Sequence, residues 1–217
     1  MELAAKWYGE GRITLVILHG LLGCADNWKG IARRLGDVCR IACVDMRNHG
    51  ESPHAPTMTY PEMAADLCEF VERHGLQNVA LLGHSMGGKV AMQVAGQCGR
   101  CLSGLIVVDI APRAYRFRHR RAIDALTSVR PEDHETRRSV DDALAQLVPT
   151  PGLRAFLLKG LATTDDGTLR WRANVAVLDR AYEGIMDNIP TKNGFSGPTL
   201  IVRGEKSDYI RDRDVEV

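Results

Sequence analysis

The chain has 217 residues, a length at which a soluble domain buries about 70% of its unfolded surface and needs neither disulfide nor metal for a core. Its 28 Lys and Arg against 27 Asp and Glu leave a formal charge of +1, which argues against an electrostatic nucleic-acid binder. The residues are 45% hydrophobic and 25% charged, with no apolar run long enough to span a bilayer and no basic-then-apolar leader. The expectation is a soluble, cytoplasmic protein with no membrane span.

Taken in order, the first strand candidate is 13–18 (ITLVIL), dense in β-branched residues and closed by His19-Gly20. A helical pattern follows at about 26–35, then a strand at 40–45, a helix at about 60–74 and a strand at 78–82. A helix at about 86–97 and a strand at 105–108 complete the series. Within 60–74, Met63, Leu67, Phe70 and Val71 recur at helical spacing behind Pro61. Strands that are apolar nearly throughout are expected where helices cover both faces of a sheet. The alternation predicts a three-layer α/β fold with a mostly parallel sheet. From 113 to about 190 the alternation stops in a charged stretch of helical pattern with no good strand, before a fifth strand at 199–202. This stretch reads as a helical insertion within a single domain over 1–217.

The cysteines are Cys24, Cys39, Cys43, Cys68, Cys98 and Cys101, expected to remain reduced in the absence of a leader. Cys98-Gly-Arg-Cys101 has redox-motif spacing but closes a helical stretch, where a thioredoxin-like motif would open one. No His/Cys grouping has zinc spacing, and neither a phosphate loop nor a dinucleotide fingerprint fits, so no metal or cofactor is expected.

The most informative segment is LLGHSMGG (81–88), a G-x-S-x-G between an apolar strand and a helix pattern. That context is the one a nucleophile elbow requires, with Ser85 on a strained turn and its Oγ exposed. Gly83 and Gly87 stand where a Cβ would clash between strand and helix. Upstream, HGLLG (19–23) follows the first strand. Acyl transfer needs two backbone N–H donors aimed at the oxyanion; Met86 and Leu21 are placed to supply them.

With these segments in view, the chain resembles the α/β-hydrolase fold family. The resemblance rests on HGLLGCADNW (19–28), DMRNHGESP (45–53), GHSMGG (83–88), VVDIAP (107–112), WRAN (171–174) and PTLIVRGEKSDYI (198–210). It is nearest to small bacterial acyl-esterases that have mitochondrial relatives, with a helical lid over the site. The resemblance implies Ser85 as nucleophile and either Asp109 or Asp208 as the acid, with Asp109 slightly favoured. Asp45, Arg47, His19, His49 and His84 read as framework around the site.

A serine hydroxyl needs a base to take its proton, and in this family a histidine supplies it after the acid. The seven histidines are His19, His49, His54, His74, His84, His119 and His134, and none follows Asp208. The sequence therefore reads as truncated before the base, with a last strand, the histidine loop and a closing helix missing. The fifth strand is expected to be an exposed apolar edge.

Arg113, Arg116, Arg118, Arg120 and Arg121 open the lid, five arginines in nine residues. They are either a solvated face or contacts to an anionic acyl donor, such as a thioester with a phosphate-bearing leaving group. Phe156, Leu157, Leu158 and Trp171 are candidates for an apolar acyl pocket. The function implied is hydrolysis of a small-molecule carboxylic ester or acyl thioester through an acyl-enzyme. The alternatives are a non-catalytic hydrolase-like binding module, or a C–C bond hydrolase or lyase of the same fold. Oligomeric state is not specified.

Overall fold

The computed structural model of the chain describes residues 1–99, 102–116, 120–190 and 194–214. Its centre is a six-stranded sheet of β1 (Ala5–Tyr8), β2 (Thr14–Leu18), β3 (Arg40–Val44), β4 (Val79–His84), β5 (Leu102–Val108) and β8 (Thr199–Val202). The spatial order is β1-β3-β2-β4-β5-β8. All neighbours are parallel except β1, which runs antiparallel to β3 with Ala5 opposite Val44. Every residue of β2 is buried, as continuous apolar composition requires of a strand covered on both faces.

Helices α2 (Tyr60–Arg73) and α3 (Met86–Cys98) cover one face, and α1 (Lys29–Leu35) lies against the other. The start of α2 is fixed by Thr59: its hydroxyl accepts from the Glu62 N–H while the Glu62 carboxylate accepts from the Thr59 N–H at 2.9 Å. This reciprocal cap satisfies two helix-end donors. Met63, Leu67 and Phe70 then enter the core.

The insertion between β5 and β8, the stretch that the sequence reads as a lid and that keeps that label below, comprises α4 (Arg120–Ser128), α5 (Arg137–Ala145), α6 (Pro151–Leu158), a hairpin of β6 (Leu161–Thr163) and β7 (Leu169–Trp171), and α7 (Val175–Met186). The hairpin corrects the expectation of a lid without strands. Its strands have three residues each, too short for an alternating pattern to show; the Asp166-Gly167 turn was the available signal. One hydrophobic cluster runs from Val16, Val90 and Leu105 in the sheet layers to Ile123, Leu144 and Leu178 in the lid. At the far edge β8 is exposed throughout, with Leu200, Ile201 and Val202 at 55%, 48% and 41% accessibility. No helix among the described residues is long and apolar enough to cross a membrane.

Candidate active site

β4 ends at His84 and α3 begins at Met86, leaving Ser85 to make the whole turn at φ +52°, ψ −118°. A non-glycine residue at this φ is strained and persists only where its surroundings enforce it. Here the Ser85 N–H donates to the Val108 carbonyl at 3.0 Å, while its own carbonyl accepts from Gly88 N–H at 2.8 Å. The Ser85 side chain makes no capping bond to α3, and Ser85 lines an apolar cavity instead. The turn closes only because Gly83 and Gly87 lack side chains. A Cβ on Gly83 would lie 2.1 Å from the Gly87 carbonyl oxygen, and one on Gly87 2.6 Å from those of Leu18 and His19.

The HGLLG loop packs directly on this turn: a Cβ on Gly20 would lie 3.3 Å from that of Ser85. Two buried histidines hold the loop. His19 Nε2 accepts from the Met46 N–H at 3.0 Å and its Nδ1–H donates to the Gly20 carbonyl at 2.8 Å. His49 Nε2 accepts from the Leu22 N–H at 3.2 Å, and its Nδ1–H donates to the Arg47 carbonyl at 3.0 Å. Both rings are therefore neutral Nδ1–H tautomers, and burial lowers their pKa values to about 4 and about 3.

The segment 45–53 is framework too. Asp45 accepts from the N–H groups of Ala25 at 2.6 Å and Glu51 at 2.9 Å, and Arg47 grips Asp66 through Nε at 2.6 Å and Nη2 at 3.0 Å. WRAN docks on the same segment, with Asn174 N–H donating to the Asn48 carbonyl at 3.0 Å.

The two candidate carboxylates differ sharply. Asp109 follows β5 at φ +54°, with Oδ2 accepting from the Ser207 hydroxyl at 2.8 Å and Oδ1 from the Gly204 N–H at 3.3 Å. Its charge acts on His84, although burial dominates and lowers the His84 pKa. Asp208 is exposed beyond β8, where its backbone carbonyl meets Arg113 at 3.4 Å.

Ser85 opens into a cavity of about 430 Å³ whose walls include Trp28, Ile31, Ala122, Leu153 and Phe156, with His84 beside the serine. Of the four residues expected to form an acyl pocket, Phe156 lines this cavity. Leu157 and Leu158 turn into the core instead, and Trp171 is held away by its Nε1–H bond to the Val129 carbonyl at 3.0 Å. The spacing of Leu153 and Phe156, one helical turn apart, was the signal for the true wall. Leu21, Ser85 and Met86 also share a small recess, whose far wall is Lys89.

Lys89 is 1% exposed, and no motif in the sequence singles it out. Its ammonium donates to the Asp187 backbone carbonyl and lies 5.0 Å from the Tyr115 ring and 5.6 Å from the Tyr60 ring. Burial lowers its pKa to about 8, against the attraction of Asp187. Around it, Tyr60 Oη donates to the Ile185 carbonyl and the Tyr115 N–H to that of Met186, each at 2.7 Å. Three successive carbonyls at the end of α7 are thus capped from the body of the fold.

Two of the five lid arginines are engaged internally. Arg113 pairs with Asp214 at 3.1 Å, and Arg120 with Asp124 and Asp179 at 2.7 Å each. Arg116 is exposed, while Arg118, His119 and Cys101 lie outside the described residues.

A family model described as alpha/beta hydrolase fold matches residues 13–148. The chain is 38% identical to the sn-1-specific diacylglycerol lipase ABHD11 of Xenopus laevis, over 90% of this chain and 65% of that protein. It is 36% identical to esterase YbfF of Escherichia coli (strain K12), over 92% of this chain and 76% of that one. Among solved structures it matches a marine microorganism esterase with a TM-score of 0.95 and 39% identity, covering 99% of this chain and 85% of the other. The chain spans just under two thirds of the length of the two Xenopus relatives, 65% and 64%. Matched in sequence across most of its length and in three dimensions from end to end, the chain belongs to the α/β-hydrolase fold family.

Proposed function

We propose that Ser85 is the nucleophile of a site that hydrolyses carboxylic esters or acyl thioesters through an acyl-enzyme. The observation that carries this reading is the position of Ser85, on a strained turn in the wall of an apolar cavity of about 430 Å³. Leu21 and Met86 supply the oxyanion N–H pair. Neighbouring donors in the loop are engaged elsewhere, Leu22 with His49 and Gly23 with the Gly20 carbonyl, which favours Leu21. Asp109 is the acid, supported by its place one strand from Ser85 and by its action on His84. The esterase and lipase names of the relatives support an ester substrate, and the cavity walls support an apolar acyl group.

Among the described residues no histidine is hydrogen-bonded to the Ser85 hydroxyl, although His84 lines the same cavity, and the other buried or bonded rings are occupied. His19 and His49 spend both ring nitrogens on the backbone, while His54 and His74 bond the carbonyls of Arg172 and Phe70. In another Ser-His-Asp hydrolase, loss of the histidine costs on the order of 10⁶ in kcat. The chain by itself is therefore expected to turn over esters barely faster than its Ser85→Ala variant. Added imidazole, which can enter the cavity and take the serine proton, should raise the difference between the two. A rate identical in both proteins at every imidazole concentration overturns Ser85 as nucleophile and favours a binding module. Fast Ser85-dependent turnover without imidazole overturns the inference about the base and points to His84.

A further inference from the structure

Redox spacing in the sequence selects Cys98 and Cys101, but the fold gives Cys98 another neighbour. Cys68 on α2 and Cys98, the last residue of α3, hold their sulfur atoms 2.9 Å apart although they are thirty positions apart in the chain. Both thiols are only half-buried. Elsewhere, burial raises the pKa of Cys24, Cys39 and Cys43, the last to about 12. Those three are held as inert thiols. A disulfide needs its sulfurs at about 2.05 Å, so a shift of less than an ångström would bring the sulfurs of Cys68 and Cys98 to bonding distance.

We propose that Cys68 and Cys98 are a modification site: a thiol pair that closes into a disulfide when it meets a small-molecule disulfide such as oxidised glutathione. One thiolate attacks a glutathione sulfur, forming a mixed disulfide and releasing the first glutathione as thiolate. The second thiolate attacks the protein sulfur of that mixed disulfide, forming the Cys68–Cys98 bond and releasing the second glutathione. The protein loses two protons and two electrons, and the oxidant becomes two glutathione molecules. The closed loop encloses β4, Ser85 and nearly all of α3, so the bond ties the helix that heads the nucleophile turn to its neighbour α2. Constraining the unfolded chain in this way should raise the unfolding temperature by roughly 5–10 °C.

The test incubates the whole chain in glutathione buffers of rising oxidised fraction, then maps peptides by mass spectrometry without reduction. The expected result is a cross-linked peptide pair containing Cys68 and Cys98, two hydrogens lighter than the same pair in reduced form. It should be accompanied by a higher unfolding temperature that dithiothreitol reverses. Cys101→Ser should leave both signals intact, Ser85→Ala likewise, and Cys68→Ser or Cys98→Ser should remove both. Recovery of Cys98 linked to Cys101, of a lasting mixed disulfide, or of both thiols unmodified in fully oxidised glutathione overturns the proposal.

Discussion

Ser85 and Asp109 stand side by side: they are the residues that follow His84 and Val108, the last register pair of the parallel strands β4 and β5. Both leave their strands through positive φ, at +52° and +54°. The Ser85 N–H takes the Val108 carbonyl at 3.0 Å, and the Asp109 N–H repeats the step by taking that of Val202 at 2.8 Å. The sheet thus presents a hydroxyl and a carboxylate on one rim, where ligands of open α/β sheets bind.

This pairing separates the two candidate acids. Asp109→Asn keeps the hydrogen bond from Ser207 but removes the charge, and should lower the imidazole-dependent, Ser85-dependent rate on the order of tenfold or more. Asp208→Asn, on an exposed side chain, should leave that rate within about twofold. Steady-state ester hydrolysis of the two variants checks this, and the opposite ranking would move the acid to Asp208.

The turn at Ser85 and the central strands could be read from the sequence because their constraints are local. Gly83, Ser85 and Gly87 are fixed by a turn that tolerates few other residues, and β2 to β5 by apolar runs that two helical layers demand. What escaped was decided by long-range packing. β1 is four half-buried residues whose strand state comes from pairing with β3. The cavity wall draws Ile31, Ala122 and Leu153 from three separate helices. Lys89 sits in an apolar helix and gives no sign in sequence that its ammonium turns inward, to a carbonyl supplied by the lid.

The cavity predicts an acyl-length preference. Each methylene that enters an apolar wall contributes about 0.8 kcal/mol, so KM for simple esters should fall roughly three- to fourfold per added carbon until the space is full. Ala122→Phe places a ring in the cavity and should flatten this dependence at shorter chains. A series of p-nitrophenyl esters tests both statements, and an unchanged profile in Ala122→Phe would place the acyl group elsewhere.

The β8 edge predicts self-association. Leu200, Ile201 and Val202 are exposed on a strand that has β5 on one side only, among the described residues, and such edges template pairing with another chain. Ile201→Lys should raise the concentration at which light scattering appears several-fold, without lowering the unfolding temperature. Equal scattering by the two proteins would rule out this edge as the point of contact.

Lys89 makes a prediction about pH. Its pKa falls from 10.5 when unfolded to about 8 in the fold, because burial outweighs the pull of Asp187, while Arg113 adds repulsion. Tyr60 and Tyr115 face the ammonium with their rings and raise no charge against it at neutral pH. Below about pH 8 both states carry the proton, and the full cost of burying the charge is felt. Between about 8 and 10.5 the unfolded chain binds more protons than the folded one, so this group's contribution to stability rises with pH; it is lost again as pH falls through 8. Lys89→Met removes the titration, and the carbonyl of Asp187 loses its donor at every pH alike. Urea unfolding at about pH 7.5 and about pH 9.5 should therefore show the wild type gaining on the order of 2 kcal/mol relative to Lys89→Met. A difference that stays constant with pH would mean that Lys89 holds the end of α7 without being strained by its burial.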